Sequence, residues 1–318
     1  MKIKGKYEKI KPLSSLYTVL GVLVLAVPLR MYQLLSIIEE DTGFYKNVDW
    51  SVYVMYALGV TAIIVPYILT NLSKNIPASK SPYRRNKLLA AASIIFAIGI
   101  VIDVISAFSS FLINIKSFTA AEISLMATLN QGQIPLLIEA VIGVFAAIYM
   151  LVFGISYIDG RTTYSQYKFL AITPLFWCMS RIVLRFVRKI AYVNVSDLML
   201  EIFMLAFMMI FLLAFARISS GLSAGTAMRS LFSSGFVCIF FCTTANLPRL
   251  IMVLTGNMSR LPDEYPFSLC DLGFALFAFA YILNAIKCAK ENDSAELLKK
   301  SSSERPQEAE IDDNFLSE

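Results

Sequence analysis

The chain has 318 residues, 57% of them apolar and only 16% charged, with a formal net charge of +5. Soluble domains carry about 25% charged residues, so the composition excludes an ordinary cytosolic enzyme, a disordered protein and a nucleic-acid binder. Histidine is absent, which removes His-based zinc sites, histidyl phosphorelays, haem ligation by His and Ser-His catalysis; no metal, cofactor or catalytic residue is assigned.

A bilayer core about 30 Å thick is spanned by about 20 apolar residues in a helix. Eight stretches of that kind run over 14–38, 50–72, 88–115, 134–157, 169–192, 198–219, 231–255 and 267–287. Each is continuous rather than alternating, which rules against a β-barrel. The fold class is therefore all-α, a polytopic integral membrane bundle of eight transmembrane helices. Residues 1–12 form a basic cytoplasmic start, 13–288 the transmembrane domain and 289–318 a polar, disordered cytoplasmic tail. The first stretch lacks an A-x-A-like cleavage site and reads as a signal anchor.

Cytoplasmic segments are rich in Lys and Arg. With the amino terminus inside, the start, the inner loops and the tail hold nineteen basic residues, against five outside: Lys46, Lys116, Arg188, Lys189 and Arg260. Both termini are expected in the cytoplasm, of a bacterial cytoplasmic membrane on size and compactness. The inner loop 73–87 carries five basic residues, so membrane lipids with anionic headgroups are expected partners. The Ser- and Gly-rich stretch 219–225 reads as a flexible inner linker. Trp50, Tyr53, Tyr157, Tyr192 and Tyr281 lie near span ends, as interfacial aromatics do.

Of the five cysteines, Cys178, Cys238, Cys242 and Cys270 lie inside apolar stretches and Cys288 at a helix end. An odd number in lipid does not make a disulfide framework. Cys238 and Cys242, four apart, read as a packing seam rather than a metal site.

Prolines and arginines recur late in the odd helices: Pro28 with Arg30, Pro174 with Arg181 and Arg185, Pro248 with Arg249. Acids open the even ones: Glu139, Glu201 and Asp271. Asp103 stands in the third helix instead of an arginine. The pattern suggests four related helical hairpins.

Charges within spans are costly and usually face partners in the bundle interior. On the topology above, Arg30, Asp103, Glu139, Arg181, Arg185, Glu201, Arg249 and Asp271 all fall between the midplane and the outer surface. They are the candidate ligand-binding residues, and two arrangements suit them. In one they pair within each hairpin, Arg181 or Arg185 with Glu201 and Arg249 with Asp271. In the other they line a polar pocket open to the outside, with Pro28, Pro66, Pro174 and Pro248 bending their helices to free carbonyls.

Three functional readings follow. A small-solute transporter, or the membrane subunit of one, would use such a pocket, although the apolar inner halves offer no onward path. A non-catalytic sensor or scaffold would bind outside a charged solute and recruit a cytoplasmic or membrane partner protein. An intramembrane enzyme would need facing carboxylates such as Asp103 and Glu139, but no G-x-G-D signature surrounds either. The arginine stripe of the fifth helix lacks the every-third-residue repeat of a voltage sensor.

Overall fold

The computed structural model describes residues 12–39, 44–47, 49–72, 85–116, 133–160, 163–187, 195–222, 224–258, 261 and 266–288. The basic start to residue 11, most of the inner loop 73–87, Tyr192 and the tail 289–318, for which the sequence raises expectations, lie outside them. The described residues form helices α1 (Pro12–Tyr32), α2 (Trp50–Leu72), α3 (Lys87–Lys116), α4 (Gln133–Asp159), α5 (Thr173–Val187), α6 (Val195–Ser219), α7 (Ala224–Leu254) and α8 (Leu269–Cys288). Eight helical segments are long and apolar enough to cross a membrane. This is the all-α bundle the composition demands.

Burial sets the layers. The windows of α7 and α8 are 67% and 61% buried, whereas that of α2 is 22% buried. Thus α7 and α8 form the centre and α2 the rim. The apolar side chains left outside, such as Val24 and Ile105, make the bundle surface greasy, as a lipid solvent requires. In lipid, helices gain by close backbone approach rather than by the hydrophobic effect. At the α3–α8 crossing, Gly99 would place a Cβ 2.6 Å from the Cys270 Cα, and Gly273 one 3.1 Å from the Phe96 Cα. Glycine alone fits such spacing.

Packing follows the hairpins only in part. α3 lies along α4, but α6 packs on α7 far more extensively than on its own partner α5. An aromatic column fills the end of the bundle away from the charges. Phe96 stands edge-on to Phe274 at 5.3 Å, Phe277 packs on Phe215 at 5.5 Å, and Phe153 lies 4.9 Å from Tyr157. Tyr281 joins it, edge-on to Phe215 at 5.6 Å. Of the tyrosines expected at the interface, Tyr157 is buried in the core and Tyr281 is half-buried against the same rings. Trp50 and Tyr53 do lie on the outside.

Three local expectations change. Of the 219–225 stretch expected to be a flexible linker, residues 219–222 are a helix stop, and residue 223 lies outside the described residues. Gly221 takes φ 74°, the Leu222 N–H donates to the Arg217 carbonyl, and the Gly221 N–H to that of Ile218, the pair of hydrogen bonds that closes a helix end. Pro174 does not bend a helix; it stands second in α5, where a missing N–H costs nothing. Its helix is shorter than expected, with 3₁₀ turns Thr163–Gln166 and Leu170–Ile172 in front. Pro28, Pro66 and Pro248 do lie inside helices. Cys178, Cys238, Cys242, Cys270 and Cys288 are all buried free thiols.

Candidate functional site

All eight expected residues gather at one end of the bundle, seven of them in two linked groups and Glu139 in the wall of an adjoining cavity. Odd helices end there and even helices begin there, so late arginines and early acids reach the same level.

The first group is a triad that includes a residue missing from the expected set. Asp197 sits in the first turn of α6, where the helix dipole favours an acid. Its Oδ1 accepts from Arg30 Nη2 at 2.8 Å and from Arg249 Nη2 at 2.8 Å. Arg30 Nη1 also donates to Gln33 Oε1 at 3.0 Å, and the Gln33 amide to the Ser51 carbonyl at 3.0 Å. Gln33 opens a single π-helical turn, Gln33–Ile37, at the end of α1. The chain then folds back in a bridge between Ile38 and Tyr45, which brings the Tyr45 hydroxyl 3.5 Å from Arg30. Arg30, Asp197 and Arg249 are 1%, 2% and 6% exposed, so the triad is sealed within protein.

The second group spans α5, α3, α8 and α6. Arg181 grips Asp271 at two points, Nη1 to Oδ1 at 2.6 Å and Nη2 to Oδ2 at 3.2 Å. Its Nε lies 3.6 Å from Asp103 Oδ2, and its guanidinium lies 5.0 Å from the centre of the Trp177 ring. One turn on, Arg185 donates through Nε at 3.0 Å and Nη2 at 2.5 Å to Glu201 Oε1. Planar guanidinium forks suit this use. Glu201 follows Asp197 by one helical turn, which joins the groups.

The pairing differs from the expected one in a specific way. Arg185 meets Glu201 inside one hairpin, as anticipated. Arg249 does not meet Asp271; it takes Asp197, and Arg181 takes Asp271. Three of the four arginines thus reach outside their own hairpin, and the ion pairs fasten hairpins to each other. Turn length favours pairs between chain neighbours, but the central position of α7 and α8 decides which acids lie within reach. Asp197 escaped sequence reasoning because the sixth span was begun at residue 198; Ser196-Asp197 ahead of an apolar run is a helix-start signal that could have placed it.

Beside the second group lies a cavity of about 270 Å³ between α3, α4 and α5, lined by Asp103, Ser106, Ala107, Ser110, Leu136, Glu139, Arg181, Leu184, Arg185 and Pro266. Four of the eight expected residues line it: Asp103, Glu139, Arg181 and Arg185. Arg30, Glu201, Arg249 and Asp271 do not. The Asp103 side chain is 29% exposed, so the cavity is reached from outside the protein. Its floor is closed. Ile100, Phe96 and Trp177 are completely buried beneath it. At Gly143, one turn below Glu139, an added Cβ would stand 2.5 Å from Val104 and 3.2 Å from Trp177. Among the described residues no cluster of His, Cys, Asp and Glu suits a metal ion.

Fold and site together define a multi-pass integral membrane protein with a buried ion-pair network and a closed-ended polar cavity at one end of its bundle. Comparison with protein-family models, with curated proteins and with solved structures finds no match to this chain.

Proposed function

We propose that the protein is a ligand-binding membrane protein, a sensor or scaffold rather than a conduit, and that it takes a small charged solute in the α3–α4–α5 cavity. The observation that carries this is the cavity's closed floor: Asp103 and Glu139 line an opening, and the next turns inward are the fully buried Ile100, Phe96 and Trp177. A transport path needs polar lining on both sides of its site, and directly beneath this one stand the fully buried Ile100, Phe96 and Trp177. The Lys and Arg bias puts this opening on the outside of the cell. The triad and the Arg181–Asp271 pair then act as a frame, because guanidiniums held this way are not available to a solute. Signal output would fall to partner proteins on the cytoplasmic side.

One feature favours the transporter reading instead. Pro28 and Pro248 stand beside the triad in α1 and α7, where a missing helix bond eases bending. Purified protein should be tested with radiolabelled amino acids, amines and organic acids, for retention in detergent and for uptake into sealed proteoliposomes. Saturable retention that Asp103→Asn abolishes, without accumulation in vesicles, is the expected result. Accumulation would make the protein a transporter, and no retention of any compound would remove the cavity as a binding site.

A further inference from the structure

We infer that residues 167–172, the turn ahead of α5, are a foot that rests on the bilayer at the aromatic end of the bundle, with the Phe169 ring among the acyl chains and Lys168 at the headgroups. Phe169 is 91% exposed, more than any other large apolar side chain among the described residues. It is not an isolated ring. Phe169 takes φ −70° and ψ −36°, and Thr173 φ −63° and ψ −37°, so the right-handed turn runs directly into α5. Phe169, Ile172, Phe176, Met179 and Val183 follow at steps of three and four, and all are exposed. They form one stripe along one face. The opposite face carries the buried Trp177, Cys178 and Arg181. In α5 itself the stripe faces lipid, because α5 spans the membrane and its polar contacts lie on the other side. Phe169 continues that lipid contact past the helix start.

The backbone meets the condition that lipid sets, which is that polar groups be bonded within the protein. The Tyr167 carbonyl accepts from the Ala171 N–H at 3.2 Å and the Phe169 carbonyl from the Ile172 N–H at 3.4 Å. The Leu170 carbonyl accepts from the Thr173 hydroxyl at 2.7 Å, and the Lys168 carbonyl from the Ser220 hydroxyl at 3.4 Å. Each carbonyl from 167 to 170 thus has a donor from within the chain. Ala171 is buried and Leu170 packs against the core, so the foot is fixed to the bundle. Tyr167 and Lys168 are exposed beside Phe169, and such aromatic and basic side chains suit the headgroup layer. The foot sets the depth of α5, the helix that brings Arg181 and Arg185 to the cavity.

All five native cysteines are buried, so a nitroxide label attaches to an introduced thiol alone. Phe169→Cys, Phe176→Cys and Gln166→Cys are labelled separately in the full chain and reconstituted in liposomes. Oxygen concentrates in the apolar layer and a neutral nickel chelate in water, so the ratio of their collisions with the label reads its depth. The expected ratio at 169 is several-fold above that at 166 and close to that at 176. A ratio at 169 no higher than at 166 would put the ring in water and overturn the assignment. Few collisions with either reagent would show that protein covers the ring, and would overturn it as well. Phe169→Trp keeps a large ring in place and gives an independent reading. Its added fluorescence should be quenched by lipids brominated on the acyl chains and not by aqueous iodide, and the reverse pattern would again overturn the assignment.

Discussion

Arg30 and Asp197 stand 167 residues apart in the chain and meet at 2.8 Å, both almost wholly withdrawn from the surroundings. The same carboxylate oxygen receives Arg249. One acid therefore holds α1, α6 and α7 together. Breaking a buried pair by removing one partner costs about 3–5 kcal/mol, because a charge is left uncompensated.

Asp197→Ala should accordingly be the most damaging single substitution in the charge network, since it removes the carboxylate that two guanidiniums share. Thermal stability of the purified protein should drop by the equivalent of about 3–5 kcal/mol or more, and Glu201→Ala should cost less, since it takes a partner from Arg185 alone. Equal effects would show that the triad is not the principal clamp.

The pair between Arg181 and Asp271 behaves differently under double substitution. Arg181→Met or Asp271→Leu alone should each destabilise strongly. Together they replace a buried ion pair with apolar groups, a change that is often neutral. The double variant should therefore recover most of the loss, which a double-mutant cycle on thermal stability measures. Additive losses would mean the two side chains do not contact each other.

Helix approach can be probed at glycines. Gly99→Ala drives a Cβ to 2.6 Å from the Cys270 backbone, while Gly21→Ala meets nothing within 4 Å. Overpacking of this kind costs about 1–3 kcal/mol, whereas an exposed helical Gly→Ala change gains about 0.5–1 kcal/mol. The two variants should shift the melting temperature in opposite directions.

Two tryptophans, Trp50 and Trp177, report on surface and core. Trp50 is exposed on the rim helix and Trp177 is fully buried. In vesicles containing brominated lipids, fluorescence of Trp177→Phe, which retains Trp50, should be strongly quenched. That of Trp50→Phe should be nearly unaffected. Quenching of both would place α5 at the lipid surface.

The sequence carries the membrane spans almost completely, because hydropathy and length are set by the bilayer rather than by neighbouring helices. It also places the arginines and acids at one level, since helix direction and depth need only the span boundaries. Partner choice lies beyond it. Arg249 and Asp271 flank one loop, yet they pair elsewhere, because α7 and α8 sit at the centre and face several helices. Tyr157 and Tyr281 show the same limit: their distance from span ends matches an interfacial tyrosine, but only packing reveals that they face inward. Asp197 turned on where a helix begins, a boundary that hydropathy places poorly.

Polar space that enters from one side only should stop above the aromatic column. Cysteines placed in turn at Ser110, Asp103, Ile100, Ala97 and Ser93 down α3, reacted in sealed vesicles with a membrane-impermeant thiol reagent, test it most directly. Modification is expected at positions 110 and 103 only, and only from the side opposite the amino terminus. Reaction at 100 or 97 from either side would reveal a continuous path and contradict it.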